Sequence, residues 1–230
     1  MKRKKIHLSE RASGIATVFV FISLVVSVLF SIAAFILSSN GRIMARQKED
    51  YLLMVIQCVL GIAVMFLPNL LKKRFGLSIP NIMNILFVLF VYAGIVLGEV
   101  RNFYYTVPHW DTVLHTFSGG MLGALGFSIV DLFNSHEKVK VELSEAFVAM
   151  FAFCFALSMG ALWEIYEFAG DSLLNLNMQK HSLEGGIKLA GQAALLDTMK
   201  DLIVDAIGAL FMTLIGYFSI KQRKRSGRSE

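Results

Sequence analysis

Three apolar segments of this chain carry acidic residues at helical spacing, and the first of them also carries a histidine. The residues are Asp111 and His115; Glu164, Glu167 and Asp171; and Asp197, Asp201 and Asp205. Intervals of three and four residues place side chains on one face of a helix. An ionisable group inside a membrane costs about 2.5–3.5 kcal/mol on insertion scales, so such groups are kept mostly where they pair or function. The pattern therefore predicts a shared polar site.

Several kinds of chemistry suit this set of side chains. Carboxylates and imidazole are ligands for Mg²⁺, Mn²⁺, Ca²⁺ or Zn²⁺, and helix bundles hold metals with acids and histidines that project inward. The same groups could act as general acid and base on a lipid-borne substrate that enters from the outer leaflet. They could also relay protons or cations, or line an outer vestibule filled with water. Repulsion among the carboxylates has to be offset by shared protons, a cation or a basic partner.

The position of each group along its segment predicts its depth. Fifteen residues separate His115 from Asp131, and fifteen separate Asp205 from Lys221. Such a run covers about 22 Å at the rise of a helix, which is less than a hydrocarbon core of about 30 Å. We therefore expect His115 and Asp205 one to two turns below the outer interface, with two further layers above them. The nearer layer is Asp111, Glu164 and Asp201, and the outermost rim is Glu167, Asp171 and Asp197.

The elements that position these groups are predicted to be transmembrane helices. The chain has 230 residues, of which 56% are hydrophobic and only 17% charged, which excludes an ordinary soluble domain. Long uncharged runs alternate with short charged loops, and no linker separates domains. We predict an all-α polytopic protein, a single membrane domain over residues 1–230 with six transmembrane helices. The expected spans are about 14–38, 51–71, 80–99, 112–131, 145–165 and 201–220.

Lysine and arginine counts predict the orientation. Short cytoplasmic loops retain positive charge, and the bias is strongest at the two ends of this chain. We therefore expect both termini in the cytoplasm, with the protein in the plasma membrane and the polar site facing outward. The basic tail, residues 221–230, needs no nucleic acid to explain it, because contact with anionic lipids is sufficient.

Glycines follow the histidine in the fourth predicted span. They are Gly119, Gly120, Gly123 and Gly126. Small residues at these intervals let a second helix approach closely, so plain helix packing is the more common explanation, and crowding around a functional site is the alternative. Ser118 lies one turn from His115 and could be its hydrogen-bonding neighbour. The sequence contains no zinc-protease helix, nucleophile elbow, Walker loop or dinucleotide fingerprint.

The order of these blocks resembles a known family. The first block is Asp111 and His115 followed by glycines, the second is Trp163-Glu164 with Glu167, Phe168 and Asp171, and the third is Asp197-Thr198 with Asp201, Asp205, Gly208 and Ala209. Over residues 80–215 this order resembles the YjdF-like family of uncharacterised bacterial inner-membrane proteins. It is more distantly similar to the VanZ-like family linked to glycopeptide resistance, in which Gln and Asn stand where this chain has Glu167 and Asp205. Neither resemblance implies an established reaction.

The residues thus support three functions. The first is a metal- or acid/base-dependent enzyme that acts on a lipid or cell-envelope substrate, with His115 and Asp205 at the base of the site and a divalent cation as the expected cofactor. The ligands or acid/base groups would be Asp111, His115, Glu164, Asp201 and Asp205, oriented by Glu167, Asp171 and Asp197. The second is a proton- or cation-coupled transporter, and the third is a non-catalytic membrane scaffold. Almost no ionisable residues occupy the inner halves of the spans, which favours a one-sided site over a conduit.

Overall fold

Helices form nearly all of the chain that the computed structural model describes, namely residues 2–40, 46, 48–76, 79–134, 143–183 and 187–226. They are α1 (Lys2–Ser39), α2 (Lys48–Val64), α3 (Leu67–Phe75), α4 (Asn81–Val91), α5 (Phe103–Thr106), α6 (Trp110–Asn134), α7 (Glu145–Leu174) and α8 (Gln192–Ser226). A π-helical segment, Tyr92–Val100, continues α4. Within these ranges no β-strand forms, and one isolated antiparallel bridge joins Ser182 to Lys188.

Six helical stretches are long and apolar enough to cross a membrane. They are Ser9–Ser39, Lys48–Phe75, Asn81–Val100, Trp110–Phe133, Glu145–Leu174 and Gln192–Arg223. The third predicted range, 80–99, begins one residue before Asn81, and the other five ranges lie inside the observed stretches. The all-α fold with six candidate spans is confirmed. The second stretch has a break between α2 and α3, where Pro68 stands in the first turn of α3 and lacks a backbone N–H.

The described chain divides into two compact units, Met1–Asp111 and Thr112–Glu230. In the first unit, α1, α2 and α4 surround a core in which Val20, Leu24, Cys58 and Val88 are fully buried. Many other apolar side chains of α1 are exposed, as expected for helices that face lipid. Asn84 on α4 donates a hydrogen bond of 2.8 Å to the Ser13 hydroxyl of α1, which links the two helices through polar groups.

The π-helical segment also belongs to the first unit. A wider turn leaves carbonyl groups available to side chains, and here the indole Nε1 of Trp110 donates to the Ala93 carbonyl over 3.3 Å. Arg46 donates to the carbonyls of Glu99 and Val100 at 2.9 and 3.3 Å, where the segment ends. These side chains thus add hydrogen bonds to backbone carbonyls within the π-helical segment and at its end.

The second unit consists of α6, α7 and α8, and glycines bring these helices together. A Cβ atom added at Gly126 of α6 would lie 2.7 Å from Ala152 Cα of α7. Two turns before Gly126, Gly119 of α6 lies directly against the Asp205 carbonyl, and Gly208 of α8 lies against the Thr116 carbonyl. The glycines therefore serve helix packing, as small residues do in membranes. This close approach occurs where α6 carries His115 and α8 carries Asp205, so packing and site formation coincide.

Candidate functional site

Helices α6 and α8 bring the main site residues together. The helix α6 is continuous from Trp110 and carries Asp111 in its first turn. Asp111 and His115 are one turn apart on α6, and Asp201 and Asp205 are one turn apart on α8. Because residues four apart share a helix face, each helix presents two polar side chains to the other.

His115 lies between the two aspartates of α8. Its Nδ1 is 3.3 Å from Oδ2 of Asp205, and its Nε2 is 3.8 Å from Oδ2 of Asp201. The side chains are 11%, 3% and 2% exposed for His115, Asp205 and Asp201 respectively. Interactions between charged and polar groups are stronger in such a water-poor environment than at a surface. The structure therefore brings His115, Asp201 and Asp205 next to one another.

The Asp205 carboxylate is held from several directions. The hydroxyl of Ser118, on α6, is 3.0 Å from Oδ1 of Asp205 and 2.9 Å from the carbonyl of His115. A Cβ added at Gly160 of α7 would lie 2.6 Å from Oδ2, so α7 passes directly beneath the carboxylate. Three helices thus define the position of Asp205, and the absence of a side chain at Gly160 provides the necessary space.

Three residues can offer ligands to one metal ion. One ligand atom from each of Asp111, His115 and Asp201 lies within 4.8 Å of the other two. In a tetrahedral Zn²⁺ site with bonds of about 2.0–2.2 Å, two ligand atoms lie about 3.3–3.6 Å apart. The distance of 3.8 Å between His115 Nε2 and Asp201 Oδ2 is slightly longer, so these atoms would move closer together around an ion. The imidazole–carboxylate donor set suits Zn²⁺ or Mn²⁺.

Two of the five predicted ligands lie outside this group. Asp205 contacts the Nδ1 side of the imidazole, whereas Asp201 faces Nε2, so the two aspartates occupy opposite sides of His115. Glu164 is 5% exposed and lies one turn after Gly160 on α7, the helix that passes beneath Asp205. The five residues predicted as one ligand set therefore separate into three whose ligand atoms converge, Asp205 on the other side of the imidazole, and Glu164 on α7.

The predicted rim residues are engaged in local structure. Glu167 accepts a hydrogen bond of 2.9 Å from the indole of Trp163. Asp197 pairs with Lys180 at 3.3 Å. Asp171 is only 6% exposed and accepts hydrogen bonds from the backbone N–H groups of Met178 and Gln179, at 2.7 and 3.0 Å. Asp171 thus fastens the connection between α7 and α8 to the end of α7.

Sequence reasoning missed the role of this connection. His181, which belongs to this connection, has its Nδ1 3.2 Å from Oδ2 of Asp171. Gln179 donates a hydrogen bond of 2.8 Å to the Thr198 hydroxyl, one turn above Asp201. One signal in the sequence could have indicated this arrangement. A carboxylate in the last turn of a helix is unfavourable next to the negative end of the helix dipole unless N–H or cationic partners compensate it.

Comparison with known proteins places the chain in a family. A family model described as "Predicted membrane protein (DUF2238)" matches residues 20–222. The chain belongs to this family. One relative, an uncharacterised protein of Thermotoga maritima, is 27% identical over 207 residues, which cover 80% of this chain and 96% of the relative. No solved structure matches the chain. The matched range includes all of the candidate site, and membership of DUF2238 identifies a membrane protein without assigning a reaction.

Proposed function

We propose that this DUF2238 protein binds a divalent cation through Asp111, His115 and Asp201 and uses it in acid/base chemistry on a lipid or cell-envelope substrate. The observation that carries the proposal is the convergence of one ligand atom from each of these residues within 4.8 Å. Three protein ligands leave coordination positions for water or substrate, as in catalytic rather than structural metal sites. Zn²⁺ and Mn²⁺ are the cations that fit this donor set best.

The surrounding residues have supporting roles in this proposal. Glu164 is a buried carboxylate one turn after Gly160 on α7, the glycine that lies against Asp205, and we assign it the role of general acid or base. Asp205 holds the opposite side of the imidazole. Asp171 and Asp197 stabilise the connection above the site through their bonds to residues 178–181. Membrane lipids are the immediate partners, and the substrate is lipid-linked or part of the cell envelope.

The location that we propose is the plasma (inner) membrane of a bacterium, with both termini in the cytoplasm and the site facing outward. The excess of lysine and arginine at both ends of the chain supports this orientation. The YjdF-like resemblance, which rests on the three blocks of site residues, agrees with an inner-membrane protein.

A coupled transporter is less well supported than an enzyme. The sequence has no Asp, Glu, Lys, Arg or His in residues 116–130, 146–163 or 206–220, which follow or precede the site residues on α6, α7 and α8. Proton and cation pathways through membranes are usually lined by such residues. A site that opens to one side needs no pathway across the other half of the membrane.

Metal content of the detergent-purified protein tests the proposal. We expect about one Zn²⁺ or Mn²⁺ per chain in the wild type after incubation with each metal, and at least a tenfold lower affinity in Asp201→Asn. Asp197→Asn is the matched control, because Asp197 lies one turn away on α8 and pairs with Lys180 rather than with the converging ligands. A wild-type protein that binds neither metal, or an Asp201→Asn variant that binds as well as the wild type, would remove the metal site.

A second experiment tests the enzymatic part. The purified protein is incubated with a bacterial envelope lipid extract and the bound metal, and the lipids are compared by mass spectrometry. We expect a product that is absent with His115→Ala and present with Asp197→Asn. An unchanged lipid profile with a metal-loaded wild-type protein would instead favour the non-catalytic scaffold.

A further inference from the structure

We propose that Asp205 is a positioning residue that keeps the proton of neutral His115 on Nδ1, so that Nε2 presents its lone pair towards Asp201. This inference deepens the proposed function, because it explains how the histidine would be prepared as a ligand. It rests on the contacts of Asp205 and applies to the protein before any metal is bound.

The hydrogen-bonding capacities of the groups select one tautomer. An ionised carboxylate only accepts hydrogen bonds, whereas each nitrogen of a neutral imidazole either donates or accepts. Both neighbouring aspartates are acceptors, so their distances decide between the two nitrogens. Oδ2 of Asp205 lies 3.3 Å from Nδ1 of His115, within hydrogen-bond distance, whereas Oδ2 of Asp201 lies 3.8 Å from Nε2, beyond it. We therefore assign the single proton of the neutral ring to Nδ1 and the lone pair to Nε2. Carboxylates that orient metal-binding histidines in this way are a general feature of metal sites.

The packing around Asp205 prevents the carboxylate from adopting another position. Its backbone carbonyl lies directly against Gly119 of α6, and Gly160 of α7 lies beneath Oδ2. The second oxygen, Oδ1, is within 3.0 Å of the Ser118 hydroxyl. With the side chain 3% exposed, water has little access to replace these contacts. The packing of α6, α7 and α8 therefore determines the contact between Asp205 and His115.

Asparagine at position 205 would remove this selection while keeping the shape. The amide has one oxygen and one NH₂ group, so it can either accept from or donate to Nδ1 of His115. If the amide oxygen faces the Ser118 hydroxyl, the NH₂ group faces His115 and favours a proton on Nε2. Asp205→Asn is therefore expected to move His115, in part or completely, to the tautomer that cannot bind a metal through Nε2.

Nitrogen NMR of the full-length protein, labelled with ¹⁵N-histidine in detergent and free of metal, tests the inference. His115→Gln identifies the signals of His115 among the five histidines. In the wild type we expect protonated Nδ1 and unprotonated Nε2 at a pH where the ring is neutral, and Asp205→Asn should introduce a protonated Nε2. Asp197→Asn should leave the signals unchanged. A wild-type ring protonated on Nε2, or on both nitrogens at neutral pH, would overturn the inference, and this result does not depend on whether the variant folds.

Metal affinity separates this inference from the proposed function. We expect Zn²⁺ or Mn²⁺ affinity to fall about 10–100-fold in Asp205→Asn, as for other residues that orient metal ligands. If the tautomer changes as expected but no variant or wild-type protein binds metal, the positioning role stands and the metal site fails. If metal binds to a wild-type protein whose free His115 is protonated on Nε2, the positioning role fails and the metal site stands.

Discussion

Replacing Gly160 with alanine adds a single methyl group directly beneath the Asp205 carboxylate. The new Cβ would lie 2.6 Å from Oδ2, 3.2 Å from Cγ and 3.5 Å from Cβ of Asp205. Ordinary contact begins near 3.4 Å, so either the carboxylate or α7 has to move by about 0.8 Å. A clash with the tip of a flexible side chain is usually inexpensive. Here the tip is held by Ser118 and His115, so moving it lengthens hydrogen bonds of 3.0 and 3.3 Å.

The size of the effect follows from these contacts. A hydrogen bond to a charged group contributes about 1.5–3 kcal/mol, and one such bond to Asp205 would be weakened or lost. Alanine is better than glycine in a helix by about 1 kcal/mol, which offsets part of the loss. We therefore expect Gly160→Ala to lower the free energy of unfolding by about 0.5–2 kcal/mol. At about 2–4 °C per kcal/mol for chains of this size, the apparent Tm should fall by about 1–8 °C.

Thermal unfolding and metal binding in the same detergent measure this effect. Displacement of Asp205 should also lower Zn²⁺ or Mn²⁺ affinity about tenfold, because His115 loses its orientation. Gly123→Ala is the matched control, since its Cβ would meet Ala209 O and Met212 Cβ at 3.5 Å, an ordinary contact distance. If Gly160→Ala matches Gly123→Ala in Tm, metal affinity and the ¹⁵N signals of His115, the reasoning about the space beneath Asp205 is refuted.

Two further predictions concern the connection above the site and the orientation of the chain. Asp171→Asn removes a carboxylate oxygen that accepts a backbone N–H, so amide hydrogen exchange of residues 175–183 should accelerate about tenfold. Equal protection of these amides in variant and wild type would contradict this role of Asp171. In spheroplasts, a membrane-impermeant maleimide should label Thr106→Cys more than the parent protein, and label Ser226→Cys only after permeabilisation. The reverse labelling pattern would show that the predicted orientation is inverted.

The fold was largely predictable because hydrophobic length is a direct property of the sequence. Uncharged runs of about 20 residues identified all six candidate spans, since a hydrocarbon core requires that length. The break after α2 and the π-helical segment Tyr92–Val100 were not predicted. Pro68 is a visible signal for the first feature. The second depends on tertiary contacts, such as the one between Trp110 and the Ala93 carbonyl, which no local pattern indicates.

The site was predictable to the level of helix faces. Four-residue spacing places Asp201 and Asp205 on one face of α8, and in the structure both lie within 4 Å of the His115 imidazole. Spacing cannot determine which imidazole nitrogen faces which carboxylate, since that depends on the relative height and rotation of two helices. Gly119, Gly160 and the other small residues set that relation by allowing backbone and carboxylate atoms to approach within distances that a Cβ would forbid.

The glycines therefore contribute to the chemistry as well as to packing. The methyl group of an alanine at Gly119 would press against the Asp205 carbonyl and separate α6 from α8, and at Gly160 it would press against the carboxylate itself. In both cases the contact between Asp205 and His115 would lengthen while every polar residue remained in place. A substitution that leaves all candidate ligands intact should thus impair the site by geometry alone. Comparing Gly160→Ala with Asp205→Asn distinguishes this effect from loss of the carboxylate, because only Asp205→Asn removes the acceptor that selects the tautomer of His115.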